Sequence, residues 1–124
     1  MKLHVDDKRV IEELQVEFNK VYPYLKIEFF KKPHEVGETS PKKEMLPSNT
    51  TLGKWRTVHS EGDLFLTPST KVEELEGQFQ EAFGLFVQVF RKSGAVWLET
   101  SATDSWTLAE QNEQGAFMEE EVGE

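Results

Sequence analysis

Between residues 70 and 100 the chain changes its apolar period from that of a helix to that of a strand with almost no spacer. Val72, Leu75, Phe79, Ala82 and Phe83 recur at the spacing of one helical face. Thr70 and Glu73 stand ahead of them at capping-box spacing, and Gly84 follows where a left-handed helix cap belongs. Leu85 to Arg91 then reads as a strand, Ser93-Gly94 fits a tight hairpin turn, and Ala95 to Thr100 returns as the partner strand. A helix that hands over directly to a hairpin requires an α+β fold.

The remaining elements attach to this centre. Val10, Leu14, Phe18 and Val21, with Ile11 beside them, predict a helix over residues 6–22, started by Asp6 or Asp7 and stopped by Pro23. Leu25, Ile27 and Phe29 alternate with Lys26, Glu28 and Phe30, which predicts a half-buried strand ending before Pro33. Residues 33–50 carry Pro33, Gly37, Pro41, Pro47 and Asn49 and read as a long polar loop. Thr51 to Arg56 is a short turn or an edge strand, and Asp63 to Thr67 a short strand. A second capping box, Thr107 to Glu110, opens a short helix that fades near Gly115.

The element order α-β-loop-β-α-β-β-α predicts two layers: one mixed four-stranded sheet, including a right-handed β-α-β crossover, with helices mainly on one face. Residues 1–118 form a single domain in this reading, and the acidic tail 119–124 is disordered.

Composition removes several functions. With no Cys there is no disulfide, thiol nucleophile or thiolate metal site, which suits a reducing cytoplasm. No apolar run nears the roughly 18 residues of a membrane helix, and the N-terminus turns acidic too early for a signal peptide. The net charge of −9 is uneven: residues 1–56 hold 11 Lys+Arg against 9 Asp+Glu, and residues 57–124 hold 3 against 14. That balance argues against a nucleic-acid partner, although Lys31, Lys32, Lys42, Lys43, Lys54 and Arg56 form a locally basic run.

No motif fixes a chemistry. The three histidines, His4, His34 and His59, lack helical ligand spacing, so a His34/His59/Glu61 metal set would need the loops to converge; no metal or cofactor is expected. There is no nucleophile elbow and no phosphate-binding glycine loop, so no catalytic residue is assigned. The densest segment runs from Trp97 to Asn112. Trp97, Thr103, Asp104, Trp106 and Gln111 mix aromatic walls with oriented polar groups and are the candidate ligand-binding residues.

Phe83-Gly84-Leu85, Val89 to Gly94, Trp97 to Thr100 and Thr103 to Leu108 resemble a family of small uncharacterised bacterial proteins of unknown function, over residues 83–112. The resemblance implies a bacterial cytosolic α+β domain and brings no activity, cofactor or site.

Strand parity supplies the functional expectation. In Leu85 to Arg91, Phe86 and Phe90 point away from the side taken by Leu85, Val87 and Val89, and Phe65 and Trp97 can join them. An aromatic sheet face of this kind needs a cover. The expectation is a small non-catalytic interaction or regulatory protein, a homodimer or bound to another protein through Phe65, Phe86, Phe90 and Trp97. The alternative is a small-molecule-binding domain or small enzyme with a pocket near Trp97, Asp104 and Trp106, and the competing cover is the chain's own segment 103–117.

Overall fold

The first strand forms before any helix begins. The computed structural model describes residues 1–33 and 42–123, the last four as backbone only. Strand β1 (Lys2–Val5) pairs antiparallel with β3 (Gly62–Phe65), Leu3 standing opposite Leu64 and His4 opposite Asp63. Leu3, Val5, Leu64 and Leu66 are buried, which makes this ribbon part of the core wall. Helix α1 (Ile11–Val21) follows, then β2 (Leu25–Phe30), a one-turn helix α2 (Leu52–Trp55), β3, and helix α3 (Val72–Phe83). The hairpin of β4 (Phe86–Ser93) and β5 (Val96–Glu99) leads into helix α4 (Leu108–Gly123).

The fold is α+β, but its strands form two antiparallel sheets, β1-β3 and β2-β4-β5, in place of the single mixed four-stranded sheet expected from the sequence. The physical reason is β1. It pairs with β3 in a ribbon of its own, and among the described residues β3 does not join the sheet of β4 and no parallel pair forms. The sequence misses β1 because His4 and two aspartates at 6 and 7 read as a helix approach.

Helix boundaries move for equally local reasons. Asp6 uses Oδ1 to accept the Lys8 and Arg9 amides, which makes a turn and delays α1 to Ile11. Thr70 does not cap α3. Its hydroxyl accepts the Thr67 amide, and the first α3 amides go to the carbonyls of Trp106 and Asp104 instead. The Thr107/Glu110 box does form, each side chain accepting the other residue's amide. Gly84 adopts the left-handed conformation, φ 61°, and closes α3. The hairpin turns one residue later than expected, at Gly94-Ala95, where Gly94 has φ 60°. A glycine at the first turn position suits the strand twist.

The core lies between the three-stranded sheet and the helices. Leu25, Ile27 and Phe29 of β2 share a face with Val87 and Val89 of β4, and α1 and α3 cover it with Leu14, Phe18, Leu75 and Phe79. Helix α4 runs well past Gly115 and packs on β4, where a Cβ at Gly115 would lie 2.7 Å from the Cβ of Tyr24. Its backbone continues over 119–123, where the acidic tail was expected, and Glu119 reaches Lys92 at 3.6 Å. No helix among the described residues is long and apolar enough to cross a membrane.

Candidate functional site

The aromatic face expected from parity is broken up. Phe65 lies in the two-stranded sheet, 66% exposed, away from the strands that carry the others. Phe90 is buried, because Lys26 stands opposite it and lays its ammonium over the ring at 5.2 Å. Phe86 is half-buried and lines a cavity of about 130 Å³ with Pro33, Glu73, Glu76, Gly77 and Asp104. Trp97 remains at the surface, with the same Lys26 ammonium 5.1 Å above its ring.

The expected pocket is also divided. Lys92 pairs with Trp97 and Arg91 with Leu98, so Trp97 and Arg91 stand on opposite sheet faces. Trp106 stacks on the Arg91 guanidinium at 5.6 Å, which puts the two tryptophans on opposite sides. Asp104 gives its carbonyl to the Glu73 amide. Thr103, Trp106 and Gln111 do converge, but on one another and on Arg91. Gln111 is fully buried, donates to the carbonyl and hydroxyl of Thr103 at 2.8 Å each, and accepts from Arg91 Nη1 at 2.8 Å. Burial also pushes the Arg91 pKa down. These contacts use the Gln111 amide internally, while the buried Arg91 Nε has no hydrogen-bond partner among the described residues. The sequence misses Arg91 as the centre of the cluster; the available signal is an arginine at the core parity of β4, in step with Val87 and Val89.

A wider groove of about 550 Å³ runs along β2, lined among others by Gln15, Val16, Asn19, Lys26 and Trp97. Its amide donors are engaged, Gln15 with the Ile27 carbonyl and Glu28, Asn19 with the Leu25 carbonyl. They close the outer edge of β2 with side chains rather than awaiting a ligand.

Titratable groups gather in two places. Asp7 holds Arg56 through Oδ1, at 2.9 Å from Nε, and His59 through Oδ2 at 2.8 Å; these hydrogen bonds, that from His59 foremost, lower the Asp7 pKa. The side chain of Arg56 is completely buried and also donates to the Phe83 carbonyl, which ties the loop to the end of α3. Glu61 lies with His4 and Asp6, their ligating atoms within 4.8 Å of one another. Of the His34/His59/Glu61 set, His59 turns to Asp7 and Glu61 lies with His4 and Asp6, while His34 lies outside the described residues.

His4 Nδ1 is 2.9 Å from Asp63 Oδ1, and Nε2 is 3.4 Å from Asp6 Oδ2. The Asp63 hydrogen bond raises the His4 pKa above 6.5. A raised folded-state value contributes stability below the unfolded pKa and loses it as pH rises through the folded value. His4→Gln is therefore expected to remove part of the stability difference between mildly acidic and mildly alkaline pH; chemical denaturation across that window checks it, and an unchanged pH profile would contradict it.

What stands out is β5. It is the outermost strand of its sheet, and Val96, Trp97 and Leu98 are 56%, 36% and 43% exposed. Leu98 adjoins Arg91 across the hairpin, Trp106 adjoins Arg91 from the turn before α4, and Trp106 shares a shallow hollow with the exposed Phe117. Exposed apolar side chains thus lie at the sheet edge and on α4, with Arg91, Glu110, Glu113 and Gln114 between them. No family model, curated protein or solved structure matches the chain.

Proposed function

We propose that this is a non-catalytic cytoplasmic interaction or regulatory protein that works by contact, and that its contact surface is the β5 edge with the neighbouring Trp106 and Phe117. The observation that carries the reading is the exposure of Val96, Trp97 and Leu98 on an outermost strand. Natural sheets blunt such edges with Lys, Pro, bulges or a covering element, and Val96–Glu99 contains neither Lys nor Pro. The reading moves the expected aromatic interface from the middle of the sheet to its rim, keeps Trp97, and leaves Phe65 outside it. The resemblance to uncharacterised bacterial proteins over 83–112 is in keeping with a bacterial cytosolic setting and adds no activity.

The small-molecule alternative has weaker support, because the Gln111 amide is internally bonded and the Trp97/Asp104/Trp106 pocket is split across the sheet. Nucleic acid is disfavoured by the net charge of −9. The test is amide hydrogen exchange along β5 in host extract against dilute buffer: slowing at Trp97 is expected, and unchanged exchange there would contradict the reading.

A further inference from the structure

We infer that the outer face of the β1–β3 ribbon binds a divalent cation of the zinc class, ligated by His4 Nε2, Asp6 Oδ2 and the Glu61 carboxylate. The site lies on the two-stranded sheet and stands independently of the β5 edge. Strand parity builds it. Leu3 and Val5 point inward from β1, as Leu64 does from β3. His4 stands opposite Asp63 and Val5 opposite Gly62, and one further step of the same register sets Asp6 opposite Glu61. His4, Asp6, Glu61 and Asp63 therefore share the outer face of the ribbon. One ligating atom from each of His4, Asp6 and Glu61 lies within 4.8 Å of the others.

Hydrogen bonds aim two of the ligands. His4 Nδ1 is 2.9 Å from Asp63 Oδ1. With that carboxylate accepting, the neutral ring carries its proton on Nδ1 and keeps the Nε2 lone pair for a metal, the carboxylate–histidine pairing usual behind metal-ligating imidazoles. Asp6 Oδ1 accepts the Lys8 and Arg9 amides at 2.9 Å each, which leaves Oδ2 as the outward oxygen, 3.4 Å from His4 Nε2. Tetrahedral bonds of about 2.0–2.2 Å set neighbouring ligand atoms about 3.3–3.6 Å apart, so His4 and Asp6 already have the spacing of one edge of a zinc polyhedron. Glu61 is exposed and completes the third corner by side-chain rotation, with water in the fourth position.

Charge points the same way. Asp6, Glu61 and Asp63 all act on the His4 ring, and among the described residues no Lys or Arg forms an ion pair with any of these carboxylates. The Arg9 guanidinium turns instead to Glu13 and Glu17. Like charges opposed across a strand pair repel, and a dication between Asp6 and Glu61 replaces that repulsion by two attractions. The imidazole selects zinc or its transition-metal neighbours over Mg²⁺ and Ca²⁺, which take oxygen ligands.

The probe is Zn²⁺ alone, titrated into the untagged chain in a His34→Gln/His59→Gln background that leaves His4 as the one imidazole. Calorimetry should show one Zn²⁺ per chain with a Kd of about 10 μM or tighter, unaffected by excess Mg²⁺. His4→Gln and Glu61→Gln, each added to that background, should weaken binding at least about tenfold, with far-UV circular dichroism confirming that each variant folds. Asp63 is a positioning residue, and Asp63→Ala should cost about 10–100-fold in affinity. It should also change the His4 ring ¹⁵N shifts of the metal-free chain, which report the tautomer and would not follow a loss of stability alone. In the wild-type chain the same His4 signals should respond to the first equivalent of Zn²⁺. Silent His4 signals in the wild type, no binding in the folded background variant, or equal affinity after His4→Gln or Glu61→Gln would overturn the site.

Discussion

Replacing Phe79 by alanine is expected to lower the unfolding free energy by about 3–5 kcal/mol, the range for truncating a core phenylalanine. The ring is completely buried on the inner face of α3 and meets Phe29 edge-on, with centroids 5.6 Å apart and planes at 82°. Phe29 stands opposite Val87, so this contact joins the helix to β2 and β4. Truncation would remove the transfer energy of the ring and leave a cavity that two paired strands cannot close by moving separately. Urea unfolding at unchanged m-value measures it. A loss below about 1 kcal/mol would mean that the helix presents another face to the sheet.

The second large effect is expected at Gln111. Its amide bridges Thr103 and Arg91 in a fully buried position, and Leu108, one turn earlier on the same helix, lies in the core. Gln111→Ala would strip Arg91 Nη1 of its acceptor and the Thr103 hydroxyl of a donor together, while the Thr103 carbonyl keeps the Trp106 amide. An unsatisfied buried group costs about 1–3 kcal/mol, more when charged, so the combined loss is set at about 2–4 kcal/mol. The Arg91 guanidinium would seek water, and with it Trp106 would lose its stacking partner, so indole fluorescence should report the same change. Native stability in Gln111→Ala would instead return the residue to the solvent-facing, ligand-binding role that its sequence neighbourhood suggests.

These two positions mark what is and is not legible in the sequence. Phe79 is legible because local period alone places it: the stripe, Gly84 and the following hairpin agree on one arrangement. The strand β1 is not, because its apolar pair Leu3 and Val5 is too short to carry a period and gains its identity only from β3, some 60 residues away. That one long-range pairing separates two sheets from one. Gln111 shows a different limit. A buried glutamine and a ligand-binding glutamine have the same sequence context, and only the position of Arg91 on the same sheet face decides between them. The exposed aromatic surface is half legible: alternation identifies the face of Phe86 and Phe90, but not that Lys26 covers Phe90 while Trp97 stays exposed on the edge strand β5.

The claim that this protein works through its β5 edge is tested most directly at one amide. Leu98 pairs with Arg91 and bonds inward, so Trp97 points its N–H off the sheet and in a dilute monomer should exchange quickly beside the amides of Gln88 and Phe90, which bond to β2. In host extract, with the Gln88 and Phe90 amides as internal reference, Trp97 should slow while Phe65 on the other sheet stays unchanged, and Leu98→Lys should abolish the slowing. Exchange at Trp97 that is the same in extract and in buffer, for wild type and Leu98→Lys alike, would contradict the account.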